Sequence, residues 1–343
     1  MFRSKNRVTK TTLFVLLCSV TCAHAKFVSV PDKVPQAYCS LKDLCARIDT
    51  NQVDIASTIS VHDLIVQNSA ITYTKCHDSM QFNFDRFPLA STPASSCASP
   101  VIPETFILSI PNGRAYSSDG VVLVNNQLIQ ELIWPWSALK RGSVLQLNAL
   151  PPVKHIAGKV AVITQEGHAN YYHWMTEVLP KLAMLADNNS EYDWLYVTAH
   201  TPVMRQTLEY LGVDLSKVLP IEDNTYIEAD ELIVPSPPAY SCYTPQWIIE
   251  YLNTHFMPHI KENSVKHNFN KKIFISRKHA SFRRIINEDE VFDLFEARGF
   301  ERYNLEDLSL IEQIVLFHNA EIIVAPMVQG LLIYYLRVLV PKL

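Results

Sequence analysis

The side chains most able to do chemistry form a basic run: Arg277, Lys278, His279, Arg283 and Arg284. They follow an apolar, β-branched run, Ile273 to Ile275, that reads as a buried strand. They precede Asn287 and Glu290, whose spacing makes a capping-box-like helix start. Guanidinium forks and helix N–H groups both bind anions, so a loop in this position suits phosphate. On composition alone a solvated basic loop is the plainer account. A second candidate is His173, with Glu177 one helical turn further along the same face. Imidazole can take a proton from a hydroxyl near pH 7, and the carboxylate could orient it or act as the base itself. A histidine that caps or packs beside Trp174 is the bland alternative. His168 is a weaker candidate.

Regular elements must position these residues. In the C-terminal part the pattern predicts strand, helix, strand, helix, strand. The first helix runs over 288–298 with Val291, Leu294 and Phe295 on one face, and Gly299 stands at its C-cap. Ser309 and Glu312 repeat the cap signal before a helix over 310–319, and a buried strand follows over 321–325. This is half of a doubly wound α/β sheet. Upstream, strands are expected over 160–164, 194–198 and 227–234. Between the first two lies a long helix opened by Asn170, with Trp174, Val178, Leu182 and Leu185 apolar. A helix beginning near Pro202 separates the second strand from the third. A connecting helix over 245–258 and a polar hinge over 261–270 follow. Residues 26–150 read as an α+β lead-in packed on the first domain, with short helices within 40–66 and a loop over 91–103. A β-hairpin is expected around Asn125-Asn126. The fold class is α/β. The expected divisions are 1–25, 26–150, 151–260 and 261–343.

Residues 1–25 read as a signal peptide: a basic start, a short apolar core from Leu13 to Val20, and Ala23-His24-Ala25 before Lys26. Removing them takes away Arg3, Lys5, Arg7 and Lys10 and no acid, so the formal charge falls from −4 to −8. Nucleic acid is therefore not an indicated partner. No stable membrane span is expected after cleavage. The chain is expected in the periplasm or outside a bacterial cell, or in a eukaryotic endoplasmic reticulum or Golgi lumen. Cys39, Cys45, Cys76, Cys97 and Cys242 remain, and the first four could pair in three ways, with Cys242 left over. Their spacing fits no zinc pattern, and no metal site is expected. No nucleophile elbow of a serine hydrolase is visible.

Several of these pieces fall in a known order. Ser276-Arg277, Arg283-Arg284, the run Asn287 to Glu290, Gly299-Phe300, Leu308-Ser309-Leu310, Glu312-Gln313 and Ala325-Pro326 resemble glycosyltransferase family 61. So do Asn170-Tyr171-Tyr172-His173-Trp174 and Leu179-Pro180. The resemblance implies a GT-B fold of two Rossmann-like domains, with the acceptor on the first and a nucleotide sugar on the second. It implies an inverting transfer to a glycan or glycoprotein hydroxyl, without a bound cofactor or metal. His173 or Glu177 would be the base, and Arg277, Lys278 and Arg283 would hold the diphosphate. Glu312 would take ribose hydroxyls, unless it serves only as a helix cap. The alternative is an exported glycan-binding protein that keeps the scaffold without catalysis.

After Ala325-Pro326 the family continues His-Gly-Ala-Gly-Leu, a Gly-rich turn whose helix N–H groups would face the donor phosphates. Here the chain reads Met327-Val328-Gln329-Gly330-Leu331, and Gly330 is the one glycine left for that role. Back-translated and read one nucleotide earlier behind a cytosine, codons for Met327 to Leu336 permit His-Gly-Ala-Gly-Leu-Thr-Asn-Leu-Leu-Phe. Residues 327–343 are accordingly expected to be out of frame and the second domain incomplete, so that the product as written is expected to be unstable or inactive. Resequencing the gene is expected to show His-Gly-Ala-Gly-Leu in the adjacent frame; its absence there would end this reading.

Overall fold

The computed structural model describes residues 57–81, 101–133, 150–239, 244–263, 267–280 and 284–326. The signal segment, Cys39, Cys45, Cys97, Cys242, Arg283, Gly330 and the expected out-of-frame stretch lie outside the described residues. The described chain divides into two compact units, one ending at Tyr251 and the other beginning at Leu252.

The first unit is built on a nine-stranded mixed sheet. Its strands are β1 (Ser57–Ile59), β2 (Thr72–His77), β5 (Thr105–Pro111), β6 (Arg114–Tyr116), β7 (Val121–Val124), β8 (Gln127–Ile129), β9 (Lys154–Val162), β10 (Trp194–Tyr196) and β11 (Tyr226–Pro235); β3 (Met80–Gln81) and β4 (Val101–Ile102) pair apart from it. The central strand is β11. Along one edge it runs antiparallel to β6 and then to β5, and along the other it runs parallel to β9. Its residues are largely buried, as a strand flanked on both edges requires. Parallel pairing is confined to β10, β9 and β11 at one side and to the short pair β1 and β8 at the other end. An α/β fold therefore forms, but this sheet is mixed, and the expected Rossmann-like pattern is limited here to three strands. The segment read as a lead-in supplies strands to the same sheet.

The hairpin forms as expected. Asn125 and Asn126 take φ of 50° and 59° between β7 and β8, the left-handed pair of a type I′ turn. The expected strand over 160–164 is longer at its start, where exposed Lys154 and His155 and a bulge near Gly158 break the apolar pattern. Val160, Val162, Leu232 and Val234 join Phe106, Leu108 and Ile110 in the core. The helices of this unit are α1 (Val61–Gln67), α2 (Tyr171–His173), α3 (Pro180–Asp187) and α4 (Pro202–Tyr210). Between α2 and α3 the helix widens into a π turn, Trp174–Val178. The expected apolar stripe is right: Trp174, Val178, Leu182 and Leu185 are all buried. Cys76 forms no disulfide among the described residues; burial pushes its thiol up to about 11.

Helix α5 (Gln246–Asn263) carries Pro258 in its interior and runs into the stretch read as a hinge. In the second unit β12 (Lys272–Ser276), α6 (Glu288–Glu296), β13 (Glu301–Asn304), α7 (Leu310–Asn319) and β14 (Ile322–Val324) alternate, and β12 lies between parallel β13 and β14. This is the predicted β-α-β-α-β half. One face differs: Val291 and Phe292 are buried against Phe274 and Ile285, whereas Leu294 is 45% exposed. Asn287 does not cap α6; its amide donates to the Glu290 carboxylate at 2.9 Å instead.

Gly120, in the turn before β7, has φ of +63°, and a Cβ there would meet the Thr164 carbonyl oxygen at 2.6 Å. Substitution Gly120→Ala therefore strains the backbone and pushes on the segment leaving β9. It is expected to destabilise the protein by roughly 2 kcal/mol, read as a lowered midpoint in chemical denaturation.

Candidate active site

The segment leaving β9 is fastened step by step. Ile163 and Thr164 continue past the strand, and the Thr164 hydroxyl meets the Ser118 carbonyl at 2.7 Å and the Thr198 hydroxyl at 2.8 Å. The Gln165 carbonyl accepts from the His168 backbone N–H at 3.1 Å, and Gly167 turns with φ of 83°. Asn170 then caps α2, its side-chain oxygen accepting from the Tyr172 N–H at 2.9 Å. His173 is the last residue of α2, and the π turn begins at once. There Leu179 N–H bonds back to the Trp174 carbonyl at 3.0 Å, and Pro180, which has no N–H to give, opens α3.

This backbone delivers a His–Glu pair. His173 Nδ1 lies 2.8 Å from Glu177 Oε1, with the imidazole 14% exposed and the carboxylate wholly buried. The other carboxylate oxygen, Oε2, accepts from Gln165 Nε2 at 2.8 Å. Tyr172 stands edge-on to the His173 ring at 5.4 Å, and its hydroxyl meets Thr244 Oγ1 at 3.0 Å. Trp174, behind, is fixed by a bond from its indole N–H to Thr207 Oγ1 at 2.9 Å. A carboxylate acceptor makes Nδ1 the protonated nitrogen of a neutral ring and leaves the basic lone pair on Nε2. Such a ring can remove a proton from a hydroxyl.

Lys181 is the third member of the series His173, Glu177, Lys181. It is 4% exposed. Burial pulls its ammonium down to about 7, opposed by the Glu177 charge. His168 takes no part in the pair. Its Nδ1 donates to the Gln165 carbonyl at 3.0 Å, Asp119 lies 3.9 Å away, and burial lowers its basicity.

The basic loop of the second unit is shaped by a buried acid. Glu288, 3% exposed, accepts from the Ser276 hydroxyl at 2.5 Å and from the Arg277 backbone N–H at 2.9 Å. It fixes the carboxyl end of β12 and so the direction in which Arg277 leaves. Lys278 Nζ pairs with Asp289 at 2.8 Å, and Arg302 bonds the same carboxylate. Those two cations hold the Asp289 carboxyl below the usual range. Arg284 is exposed. Glu312 completes a capping box with Ser309: its Oε2 accepts from the Ser309 N–H at 2.8 Å and from the hydroxyl at 2.6 Å. Its carboxyl is lowered by these bonds, and His267 lies 3.6 Å away.

The expected pair His173 and Glu177 thus meets, while Arg277, Lys278 and Glu312 occupy the second unit. Gln165 and Lys181 were missed. Lys181 had a signal, being a cation on the buried side of an apolar stripe. Gln165 had none.

Residues 171–331, nearly half of the chain, match the family model Glycosyltransferase 61, which bears out the resemblance at the level of the family. Comparison with curated proteins found no match.

The lysine's depressed basicity has a sign. In the unfolded chain Lys181 holds its proton up to about 10.5, in the folded one only to about 7, so the unfolded state binds more protons between these values. Stability from this group therefore rises with pH across that window and is flat below it, by on the order of 1 kcal/mol per pH unit. Lys181→Met is expected to abolish that slope, as read by denaturation midpoints from pH 6 to 10 compared with the unsubstituted chain.

Proposed function

We propose that this chain, whose residues 171–331 match glycosyltransferase family 61, transfers a glycosyl group from a nucleotide-sugar donor to a hydroxyl of a glycan or glycoprotein. The observation that carries the reading is the His173–Glu177 contact of 2.8 Å, a part-exposed imidazole on a wholly buried carboxylate within the matched stretch. His173 Nε2 accepts the proton of the acceptor hydroxyl as that oxygen bonds to the anomeric carbon. The nucleoside diphosphate departs from the opposite face, so the configuration inverts. Glu177 holds the Nδ1 proton and offsets the charge that the ring acquires. It orients the ring and is not itself the base, because its carboxylate is buried. On this reading Arg277 contacts the donor diphosphate, where a guanidinium can hold two oxygens and offset charge on the leaving group. Lys278 is a lesser contributor, because Asp289 already pairs with it. The reading assigns Glu312 to its helix cap. It invokes no resident cofactor and no metal.

A panel of UDP- and GDP-sugars tests this, by transfer or hydrolysis and by calorimetry. His173→Ala is expected to lower turnover by about 10²–10⁴-fold with donor affinity kept. Arg277→Ala is expected to weaken donor binding by roughly 1.5–3 kcal/mol. Binding of no nucleotide sugar by a chain with its reading frame restored would sink the proposal, and glycan binding without nucleotide affinity would replace it with the non-catalytic alternative.

A further inference from the structure

The Glu177 carboxylate is wholly buried, and its two oxygens have separate partners: Oε1 meets His173 Nδ1 at 2.8 Å and Oε2 accepts from Gln165 Nε2 at 2.8 Å. The second partner comes from a different segment, twelve residues earlier. Gln165 is 5% exposed, and its own carbonyl is tied to both the N–H and the ring of His168. An ionised carboxylate only accepts, so the amide must turn its NH₂ towards Glu177. That orientation leaves Gln165 Oε1 buried without a hydrogen-bond partner among the described residues. Turned the other way, two acceptors would face each other. The amide thus sacrifices a bond of its own to keep the one to Glu177.

We infer that Gln165 is a positioning residue for the transfer, locking the Glu177 carboxylate in the rotamer that presents Oε1 to His173 Nδ1 and so fixing the basic lone pair on Nε2. The inference rests on the reading of His173 as base. Remove the Gln165 donor and Oε2 loses that bond, the carboxylate is less firmly held, and the ring can protonate on either nitrogen. Gln165 lies ahead of the stretch that matches the family, so the segment after β9 belongs to the working site although the matched region begins at Tyr171.

The test is ¹⁵N NMR of the histidine-labelled full chain near neutral pH, with the His173 signals assigned by their loss in His173→Gln. The expected result is one neutral tautomer, protonated on Nδ1, in the unsubstituted chain. In Gln165→Met, which keeps length and volume, the Nε2-protonated form is expected to become populated. In a chain with its reading frame restored, the same substitution should lower turnover about tenfold or more with the donor KM unchanged, the pattern of a lost supporting bond. An unchanged tautomer in a folded Gln165→Met chain overturns the inference. Should that variant not fold, the unsubstituted spectrum decides: Nδ1 protonation supports the inference and Nε2 protonation overturns it. The tautomer needs no substrate, so a chain with the expected tautomer and no transfer would defeat the reading of the function and leave the positioning intact.

Discussion

A carboxylate without access to water has to be satisfied by the protein, and Glu177 is the clearest case here. Its two oxygens draw together the segment leaving β9 and the helix that follows, through Gln165 and His173. The rest of the local structure serves that demand. Asn170 starts the helix where it must start, the π turn carries the Glu177 side chain inward, and Trp174 is pinned to α4. Lys181 adds an opposing charge from the next turn, and loses basicity for being there. Glu288 plays the same part in the second unit, where a buried acid holds the strand end from which Arg277 emerges. In both places the polar group that shapes the candidate residue is more deeply buried than the residue itself.

Much of this was legible because it is local. The apolar run at β12, the cap at Ser309 with Glu312, and the stripe from Trp174 to Leu185 depend on residues a few positions apart. The Asn125-Asn126 hairpin depends on two. The His173–Glu177 pair was visible for the same reason, since four positions on a helix bring side chains together. What could not be read is non-local. Whether β5 and β6 run antiparallel to β11 is decided by the packing of distant segments, and no periodicity records it. Gln165 is invisible as a partner because it sits outside the helix it supports. The early part of β9 was missed because Lys154, His155 and Lys159 are exposed and Gly158 interrupts the run, so Ile156 stands apart from the apolar stretch that follows. Leu294 was assigned to the wrong face because Phe292, two positions earlier and on the other side of the helix, buries against β12 in its stead.

Two cap signals of similar form had different fates, and the difference is instructive. Ser309 has a short hydroxyl that reaches the Glu312 N–H, so both halves of the box close. Asn287 has a φ of −101° and ψ of 46°, away from the extended geometry that a capping side chain needs, and its amide turns to Glu290. The acid that matters at α6 is the neighbouring Glu288, which satisfies the strand end behind it. The helix start was predicted correctly on a signal that does not operate.

The place of β11 at the middle of the sheet also sets an order of assembly. Without it, β6 keeps only β7, β5 keeps only β2, and β9 keeps only β10, so the sheet exists as three unjoined pieces. The strand that unites them is the last of the nine to be synthesised, and its partners in β5 lie about a hundred residues or more behind it. Until Tyr226–Pro235 arrives, those edges offer open hydrogen-bonding groups and apolar faces to any other chain. A growing polypeptide of this kind depends on being kept apart from its neighbours until one late segment closes it.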